Sequence, residues 1–321
     1  MTVDAGRVLI ELDTADGRVR EVRIASERPP VAHALRGKPA AEAVALVPLI
    51  FALCGKAQGR AAALALAAAR GVDTAPHVDA ETETETLREH LWRLLLDLPP
   101  QLGLEARREV FKTAMRAAAA GDREAMRGVL DDPYWNEMLG RLAELEQPAA
   151  QAAMLLPVMG ARKSLAVWPM LDEDFCRVPR WEGEAAETGA FARWGGQNPA
   201  RVGAFAARWH ARCAEVWSWA AGAGEVGGGG TASAVAAGPG IGRALVDTAR
   251  GLLMHEIVLD GDRIADYRIV APTEWNFHPH GILRDWLHGH AYTGHDALGR
   301  YVAAAVGALD PCVRHEVRID A

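Results

Sequence analysis

The sequence is poor in cysteine and has no excess of basic residues, and each shortage excludes a class of protein. Its four cysteines are scattered over 321 residues, so they do not form the disulfide framework of a small secreted protein and are typical of a reducing cytoplasm. The formal net charge is −7, and no basic tract stands out, which argues against a nucleic-acid-binding protein. We therefore expect a cytoplasmic protein whose partners are not nucleic acids.

The sequence also lacks an apolar run long enough and pure enough to cross a membrane. The most apolar stretch, residues 40–69, is rich in weakly apolar alanine and is interrupted by Glu42, Pro48, Lys56 and Arg60. This composition favours a buried helix pair over a membrane span, so we expect no membrane insertion. The first five residues contain no basic segment followed by an apolar one, and we expect no signal peptide.

Half of the residues are hydrophobic, which is enough to bury a large core. By length the chain is one large domain or two modest ones, and we predict a single domain over residues 1–321. The pattern predicts hairpins at 7–24 and 256–270, a flexible Gly-rich loop at about 224–238, and irregular segments at 168–196 and 272–281. Helical patterns cover residues 40–70, 87–98, 105–120, 123–130, 132–146, 200–221 and 300–309. The predicted fold class is α+β, mainly α, with short antiparallel hairpins.

Several short motifs follow one another in an order that is more specific than any one of them. The C-terminal third contains Arg250-Gly251 with His255, then the run 272–279 (Pro-Thr-Glu-Trp-Asn-Phe-His-Pro), then Asp310-Pro311-Cys312. This order closely resembles the large subunit of nickel–iron hydrogenases. That family has an Arg-Gly-x-x-x-His segment, a Pro-Thr-Thr-Trp-Asn-x-x-Pro-Arg loop and an Asp-Pro-Cys-x-x-Cys-x-x-His end.

Upstream segments extend the resemblance towards the start of the chain. Residues 179–183 and 187–193 resemble the family's Pro-Arg-Tyr and Glu-Val-Gly-Pro-Leu-Ala-Arg segments. Arg36-Gly37 resembles its Arg-Gly-x-Glu loop, and Cys54-Gly55 resembles its Cys-Gly-x-Cys-x-x-x-His motif. The chain is shorter than a typical large subunit, so the resemblance implies a truncated nickel–iron hydrogenase large-subunit-like fold.

One cysteine is missing from each of the family's two cysteine pairs. In the family register, Ala57 occupies the second place of the pair that begins with Cys54, and His315 occupies the second place of the pair that begins with Cys312. The family binds nickel through all four cysteines, and the second of each pair also bridges to iron. The resemblance therefore implies that this chain cannot hold a nickel–iron pair in the family's way. Pro39 stands where the family's Arg-Gly-x-Glu loop has its glutamate, so the carboxyl group that the family implies in proton transfer is also absent.

These departures resemble a degenerate branch of the family, the HupK/HoxV-type hydrogenase maturation proteins. The resemblance implies a non-catalytic scaffold or chaperone in nickel–iron hydrogenase maturation and not an enzyme. It implies that the chain transiently carries an iron fragment with cyanide and carbonyl ligands, and it argues against nickel. The implied partners are maturation proteins of the HypC/HypD type and the hydrogenase large subunit.

Two other functions stay open at this stage. The first is a metal-free interaction protein that docks on maturation factors or on hydrogenase subunits. The second is an unusual redox enzyme that uses a single nickel, which the missing bridging thiolates argue against.

The expected metal ligands are Cys54 and Cys312, because thiolates select soft metals such as iron and nickel. A cysteine in an apolar helix is often structural, and the family register is what favours a ligand role for these two. His315 lies three residues after Cys312, so it is either a third ligand or a surface histidine. Cys176 and Cys213 match no motif, and we expect them to be packing or surface residues.

The expected cofactor-binding residues are His280, Pro279, Trp275 and Asn276. His280 stands in the place of the family's arginine, and it either donates a hydrogen bond to a cyanide nitrogen or lies exposed in its loop. Trp275 and Asn276 are expected to hold this loop by packing and by hydrogen bonds from side chain to backbone. His255 is expected to be partly buried, with a structural or supporting role.

Overall fold

A computed structural model gives the fold, and it describes residues 6–29, 31–51, 53–148, 153–158, 168, 171–196, 202–223 and 228–320. The strands are β1 (Arg7–Ala15), β2 (Arg18–Glu27), β3 (Thr74–Val78), β4 (Met154–Leu155), β5 (Ala186–Glu187), β6 (Thr231–Gly238), β7 (Ile241–Thr248), β8 (Gly251–Asp260), β9 (Arg263–Val270) and β10 (Arg314–Asp320). The helices are α1 (Ala40–Ile50), α2 (Gly55–Ala69), α3 (Ala80–Trp92), α4 (Leu98–Gln101), α5 (Arg108–Ala120), α6 (Arg123–Leu130), α7 (Tyr134–Ala143), α8 (Glu173–Arg177), α9 (Ala190–Arg193), α10 (Ala204–Ala221), α11 (Pro272–Asn276), α12 (Ile282–Leu287) and α13 (His295–Leu309). A short 3-10 helix spans Val31–Leu35, and a π-helical turn, Arg93–Asp97, joins α3 to α4.

Two larger sheets organise the described part of the chain, and β4 pairs with β5 in a third sheet of two parallel strands. The strand order of the larger sheet is β3-β6-β7-β8-β9, and all of its neighbouring strands are antiparallel. In the smaller sheet, β1 pairs with β2 as an antiparallel hairpin and with β10 as a parallel neighbour. Because β10 begins two residues after Cys312, this parallel pairing brings the C-terminal segment back beside the N-terminal hairpin.

Helices α1 and α2 pack against the larger sheet through very small side chains. Ala61, Ala65 and Ala68 of α2 are fully buried in the same core cluster as Ala232 and Ala234 of β6. At Gly242 of β7, an added Cβ would lie 2.0 Å from the carbonyl oxygen of Ala65. The α2 backbone therefore lies directly on the sheet, which explains the alanine-rich sequence that begins just after Cys54.

A second core forms among α3, α5, α6, α7 and α10, and a third forms between the smaller sheet and α12, α13 and the start of α10. Trp209, Trp219 and Trp135 are buried in the helical core. No helix in the described residues is long and apolar enough to cross a membrane.

Both predicted hairpins are present. The first is β1–β2, whose turn contains Gly17 with a positive φ of 68°, and the second is β8–β9, whose turn contains Gly261 with a φ of 58°. The predicted helices at 40–70, 105–120, 123–130, 132–146 and 200–221 also form, with ends shifted by a few residues and with a break between α1 and α2.

The predicted start of the helix at 87–98 is wrong, because α3 begins at Ala80. The side chain of Asp79 caps it by accepting a hydrogen bond from the backbone nitrogen of Thr82 at 3.0 Å. The alternating Glu and Thr residues at 81–86 look like an acidic, solvent-exposed segment before a helix. Glu85 is nevertheless buried, and its carboxylate accepts hydrogen bonds from the backbone at the start of α2. The Pro99-Pro100 pair does not end the helical segment either, since both prolines lie within α4.

The predicted flexible loop at 224–238 is wrong over its second half, which forms β6; residues 224–227 lie outside the described residues. Small side chains suggest a loop, but here they let β6 approach α2. Within the predicted irregular segment 272–281, residues 272–276 form α11. Helix α13 begins at His295 instead of residue 300, and β10 was not predicted.

Candidate metal centre

Cys54 immediately precedes α2, at the point where this helix comes close to α1, and its side chain makes no capping hydrogen bond. An added Cβ at Gly55 would lie 3.0 Å from the carbonyl oxygen of Pro48, so the small residue after the cysteine permits the close approach of the two helices. The carboxylate of Glu85 accepts hydrogen bonds from the backbone nitrogens of Lys56 at 3.0 Å and Ala57 at 2.9 Å. A carboxylate at a helix N-terminus stabilises its unpaired N–H groups, so the segment that carries Cys54 is held in place.

Cys312 is held by the residues at the end of α13. Asp310 has a left-handed backbone conformation, with a φ of 54°, which ends the helix and turns the chain. Its buried carboxylate forms ion pairs with Arg93 Nε at 2.8 Å and Arg250 Nε at 3.4 Å. The Asp-Pro-Cys motif thus fixes the position of Cys312 through a buried charge cluster.

Cys54 and Cys312 line the same cavity, which has a volume of about 610 Å³. The end of β2, the connection between α1 and α2, strand β9, and helices α8 and α11 contribute to its walls. Cys176 of α8 also lines it. The fold therefore brings together two cysteines from opposite ends of the sequence, as the family register predicted.

The Cys312 sulfur is in contact with a cation and with a hydroxyl group. Arg28 Nη2 donates a hydrogen bond to Cys312 Sγ at 2.7 Å, and Thr273 Oγ1 lies 3.1 Å from the same sulfur. Glu274, whose carboxylate also accepts a hydrogen bond from Ser26 at 3.1 Å, pairs with Arg28 Nε at 2.9 Å. Burial alone would lower the pKa of Arg28, but Glu274 and Cys312 raise it above its ordinary value, so the guanidinium stays charged.

Cys54 has different surroundings. Burial and the nearby Cys312 raise the pKa of the Cys54 thiol to about 12. Gln58, one helical turn further on, places its amide nitrogen 3.7 Å from Cys54 Sγ. At neutral pH Cys54 is therefore a thiol, and it must lose its proton before it can bind a metal.

The predicted cofactor-binding residues lie beside this cavity and not in its described lining. Trp275 is buried and meets the rings of Trp168 and Phe175 edge-on. Asn276 accepts a hydrogen bond from the backbone nitrogen of Thr188 at 2.9 Å and donates one to the carbonyl of Arg250 at 3.1 Å. These two residues hold the loop, in the manner predicted for them.

His280 and Pro279 lie further out in the same loop. Pro279 is half-buried and His280 is exposed, and the backbone nitrogen of His280 donates to His278 Nδ1 at 3.0 Å. Neither residue is among the described residues that line the cavity. A contact between His280 and a bound cyanide stays a prediction that the described geometry does not favour.

His315 lies on β10, where it pairs with Val8 of β1, and it is exposed. It is not among the described residues that line the cavity, so the structure does not bring it to the two cysteines. Within the described part of the chain, no group of three or more His, Cys, Asp or Glu side chains is arranged to hold a metal ion. The candidate centre is therefore built on Cys54 and Cys312, with Cys176 also in the cavity lining, and a ligand role for His315 stays a prediction.

Sequence reasoning missed the residues that surround the two sulfurs. Arg28 belongs to no motif, and its contact with Cys312 depends on how β2 ends. Gln58 carried a usable signal, because residues four apart share one face of a helix. Cys213 is buried in the helical core as expected, whereas Cys176 both packs near Trp275 and lines the cavity.

The fold is that of the large subunits of nickel–iron–selenium hydrogenases. The reduced, active enzyme from Desulfomicrobium baculatum matches with a TM-score of 0.63 and 15% sequence identity, over 94% of this chain and 95% of that chain. The reduced enzyme from Desulfovibrio vulgaris Hildenborough matches with a TM-score of 0.61 and 14% identity, over 93% and 94%. No family model matches the sequence.

Curated relatives identify the branch of this fold. The hydrogenase expression/formation protein HoxV of Cupriavidus necator is 33% identical over 92% of both chains. The hydrogenase expression/formation protein HupK of Azotobacter vinelandii is 30% identical over 98% of this chain and 99% of that protein. The chain belongs to the HoxV/HupK family of hydrogenase expression/formation proteins. The predicted family and fold class are thereby confirmed.

Proposed function

We propose that this protein is a non-catalytic scaffold in nickel–iron hydrogenase maturation that transiently holds an iron fragment with cyanide and carbonyl ligands. The printed names of its relatives, hydrogenase expression/formation proteins, support a role in maturation. The observation that carries the proposal is that Cys54 and Cys312 line one cavity, although each is the single cysteine of its motif.

The chemistry of the cavity suits such a cargo. Thiolates are preferred ligands of iron, and because cyanide and carbonyl would occupy coordination positions of their own, few protein donors are needed. Two thiolates and the cyanide ligands add negative charge to a half-buried site, and the guanidinium of Arg28, already at Cys312, offsets part of it. We propose that nickel is not part of the cargo, because Ala57 has no donor atom and exposed His315 lies outside the described lining.

The proposed cargo competes with a proton for Cys54. Since the pKa of the Cys54 thiol is raised to about 12, each loading event at neutral pH must release the Cys54 proton, and each release of cargo returns it. This competition weakens retention at neutral pH. A scaffold that passes its load to another protein needs that property, whereas a resident catalytic site does not.

The test is infrared spectroscopy of the protein purified from cells that express the hydrogenase maturation machinery. We expect cyanide and carbonyl stretching bands together with bound iron in the native chain, and loss of both in Cys54→Ser and Cys312→Ser. Cys213→Ala is the matched control, because Cys213 is buried in the helical core, and it should keep the bands. Absence of bands from the native protein, or their survival in both serine variants, would show that the two cysteines carry no such cargo.

A second candidate function, docking on maturation factors or on hydrogenase subunits without any metal, is favoured by one observation. Two large apolar side chains are exposed in the residues that lead to Cys54, Leu49 at 77% in the last turn of α1 and Leu53 at 50% at the cavity. Exposed large apolar residues are typical of protein–protein contacts when they form a patch. HypC/HypD-type proteins and the hydrogenase large subunit are the partners we propose for this surface.

The two functions are separated by comparing variants in cells. Leu49→Ser with Leu53→Ser should weaken co-purification with the partner, and Val72→Ser, which alters an equally exposed apolar residue elsewhere (58%), is the control. If hydrogenase maturation proceeds normally in Cys54→Ser and Cys312→Ser but fails in the leucine variants, the docking function replaces the scaffold function.

A further inference from the structure

Three buried side chains form a hydrogen-bonded chain from the larger sheet to the Cys54 sulfur. The hydroxyl of Tyr267 lies 2.8 Å from His255 Nδ1, and His255 Nε2 lies 2.9 Å from Gln58 Oε1. The amide nitrogen of Gln58 then lies 3.7 Å from Cys54 Sγ. We propose that Gln58, His255 and Tyr267 are positioning residues that direct a hydrogen-bond donor at the Cys54 sulfur. This inference rests on the proposed role of Cys54 as a ligand.

The direction of the chain follows from the donors and acceptors available. His255 is fully buried, and burial lowers its pKa to about 3, so the ring is neutral and carries one N–H. Because Nε2 faces the oxygen of Gln58, that nitrogen must carry the hydrogen, and Nδ1 then accepts from the hydroxyl of Tyr267. The oxygen of Gln58 is thereby committed to His255, which turns the N–H groups of the amide towards the sulfur.

The elements that carry these residues make the chain a rigid support. Gln58 lies in the first turn of α2, four residues after Cys54, while His255 and Tyr267 lie on the paired strands β8 and β9. The chain therefore ties the sulfur-bearing end of α2 to the sheet. A donor aimed at a sulfur stabilises a thiolate ligand and orients it, as outer hydrogen bonds do for other metal ligands. An apolar residue at position 58 would fill the same space without doing either.

The first test measures alkylation of the protein without cargo, with the modified cysteine peptides quantified by mass spectrometry. In Gln58→Leu we expect Cys54 to react at least threefold more slowly relative to Cys312 of the same molecule, since the sulfur loses a donor that favours its anion. Tyr267→Phe should shift this ratio in the same direction by a smaller factor. Tyr301→Phe is the matched control, because it removes another buried phenol hydroxyl, one that donates to the carbonyl of Trp286. It should leave the ratio unchanged.

A general loss of structure would make Cys54 react faster, so a slower Cys54 rate reports the lost hydrogen-bond donor. An unchanged or faster Cys54 rate in Gln58→Leu overturns the proposal. The second test is the nitrogen chemical shifts of His255 in histidine-labelled protein. They should report the Nε2–H tautomer in the native chain, and an Nδ1–H tautomer would reverse the chain and overturn the proposal. Neither measurement needs iron, so failure of the infrared test and failure of this inference are distinguishable.

Discussion

Replacing Asp310 by asparagine should destabilise the fold strongly, although the two side chains have nearly the same shape. Asp310 is buried, and its carboxylate pairs with Arg93 at 2.8 Å and Arg250 at 3.4 Å. Its backbone has a φ of 54°, a conformation that asparagine tolerates as well as aspartate does. The substitution therefore removes the charge and leaves the local geometry possible.

The size of the effect follows from the cations that remain. Burial alone would raise the pKa of Asp310, but Arg250, Arg93 and Arg212 lower it, so the carboxylate is ionised and interacts with all three. Arg212 is itself buried, and burial lowers its pKa to about 10 although Asp310 raises it. Removing one partner of a buried ion pair costs about 3–5 kcal/mol, because an uncompensated charge stays behind. We expect a loss in this range from the free energy of unfolding.

The measurement is equilibrium unfolding in urea at pH 7, followed by tryptophan fluorescence, for the native chain and for Asp310→Asn. Asp296→Asn is the control, since it neutralises an exposed carboxylate at the other end of the same helix and should cost less than about 1 kcal/mol. A loss below about 1 kcal/mol for Asp310→Asn would refute the view that this carboxylate holds the cluster together and positions Cys312.

Three further predictions test the sheet, the helix contact and the thiol. The pKa of His255 is lowered to about 3, so below about pH 6.5 the unfolded chain binds a proton there that the folded chain does not. The free energy of unfolding should therefore fall by up to about 1.4 kcal/mol per pH unit below that point. Urea unfolding at pH 7 and 5.5 should show a shallower fall in His255→Phe, and equal falls would contradict the assignment. Gly242→Ala would place a Cβ 2.0 Å from the carbonyl oxygen of Ala65 and should lower the free energy of unfolding by about 3 kcal/mol. The control Gly140→Ala, in an open position of α7, should raise it by about 0.5–1 kcal/mol. Similar shifts of the melting temperature in the two variants would argue against the close contact. With a pKa of about 12, Cys54 should be alkylated about a thousandfold more slowly at pH 7.5 than in the urea-unfolded chain, and equal rates would show that its thiol is not perturbed.

The elements predicted correctly from the sequence are those whose local pattern agrees with their packing. The β8–β9 hairpin carries its own turn residues, and α6 carries its own cap at Asp122, which accepts from the backbone nitrogen of Ala125. The elements predicted wrongly owe their form to contacts that are distant in sequence. The strand β6 exists because β7 pairs with it and α2 packs on it. Glu85 of α3 is buried because the start of α2 supplies its hydrogen-bond donors.

The residues of the candidate site also fall into two groups, those that the sequence predicted and those that depend on contacts distant in sequence. The order of the motifs was enough to select Cys54 and Cys312, because chains that share a fold place residues at matching sequence positions in similar places of the structure. It could not select Arg28, whose guanidinium reaches Cys312 from the end of β2, because no periodicity or motif marks that contact. Nor could it place His315, since the strand β10 that carries it outward was not predicted.

The two sulfurs are not equivalent, and this difference bears on how a scaffold of the proposed kind would work. Cys312 meets a permanent cation, Arg28, whereas Cys54 keeps its proton and accepts a hydrogen bond from a neutral amide. In such a scaffold, a cargo would attach at Cys312 without first removing the proton from Cys54, and the second sulfur would join only when that proton leaves. Release would run in the opposite order, because reprotonation of Cys54 would break one of the two bonds. At a site with two thiolate pairs, the loss of one sulfur would still leave three others on the metal.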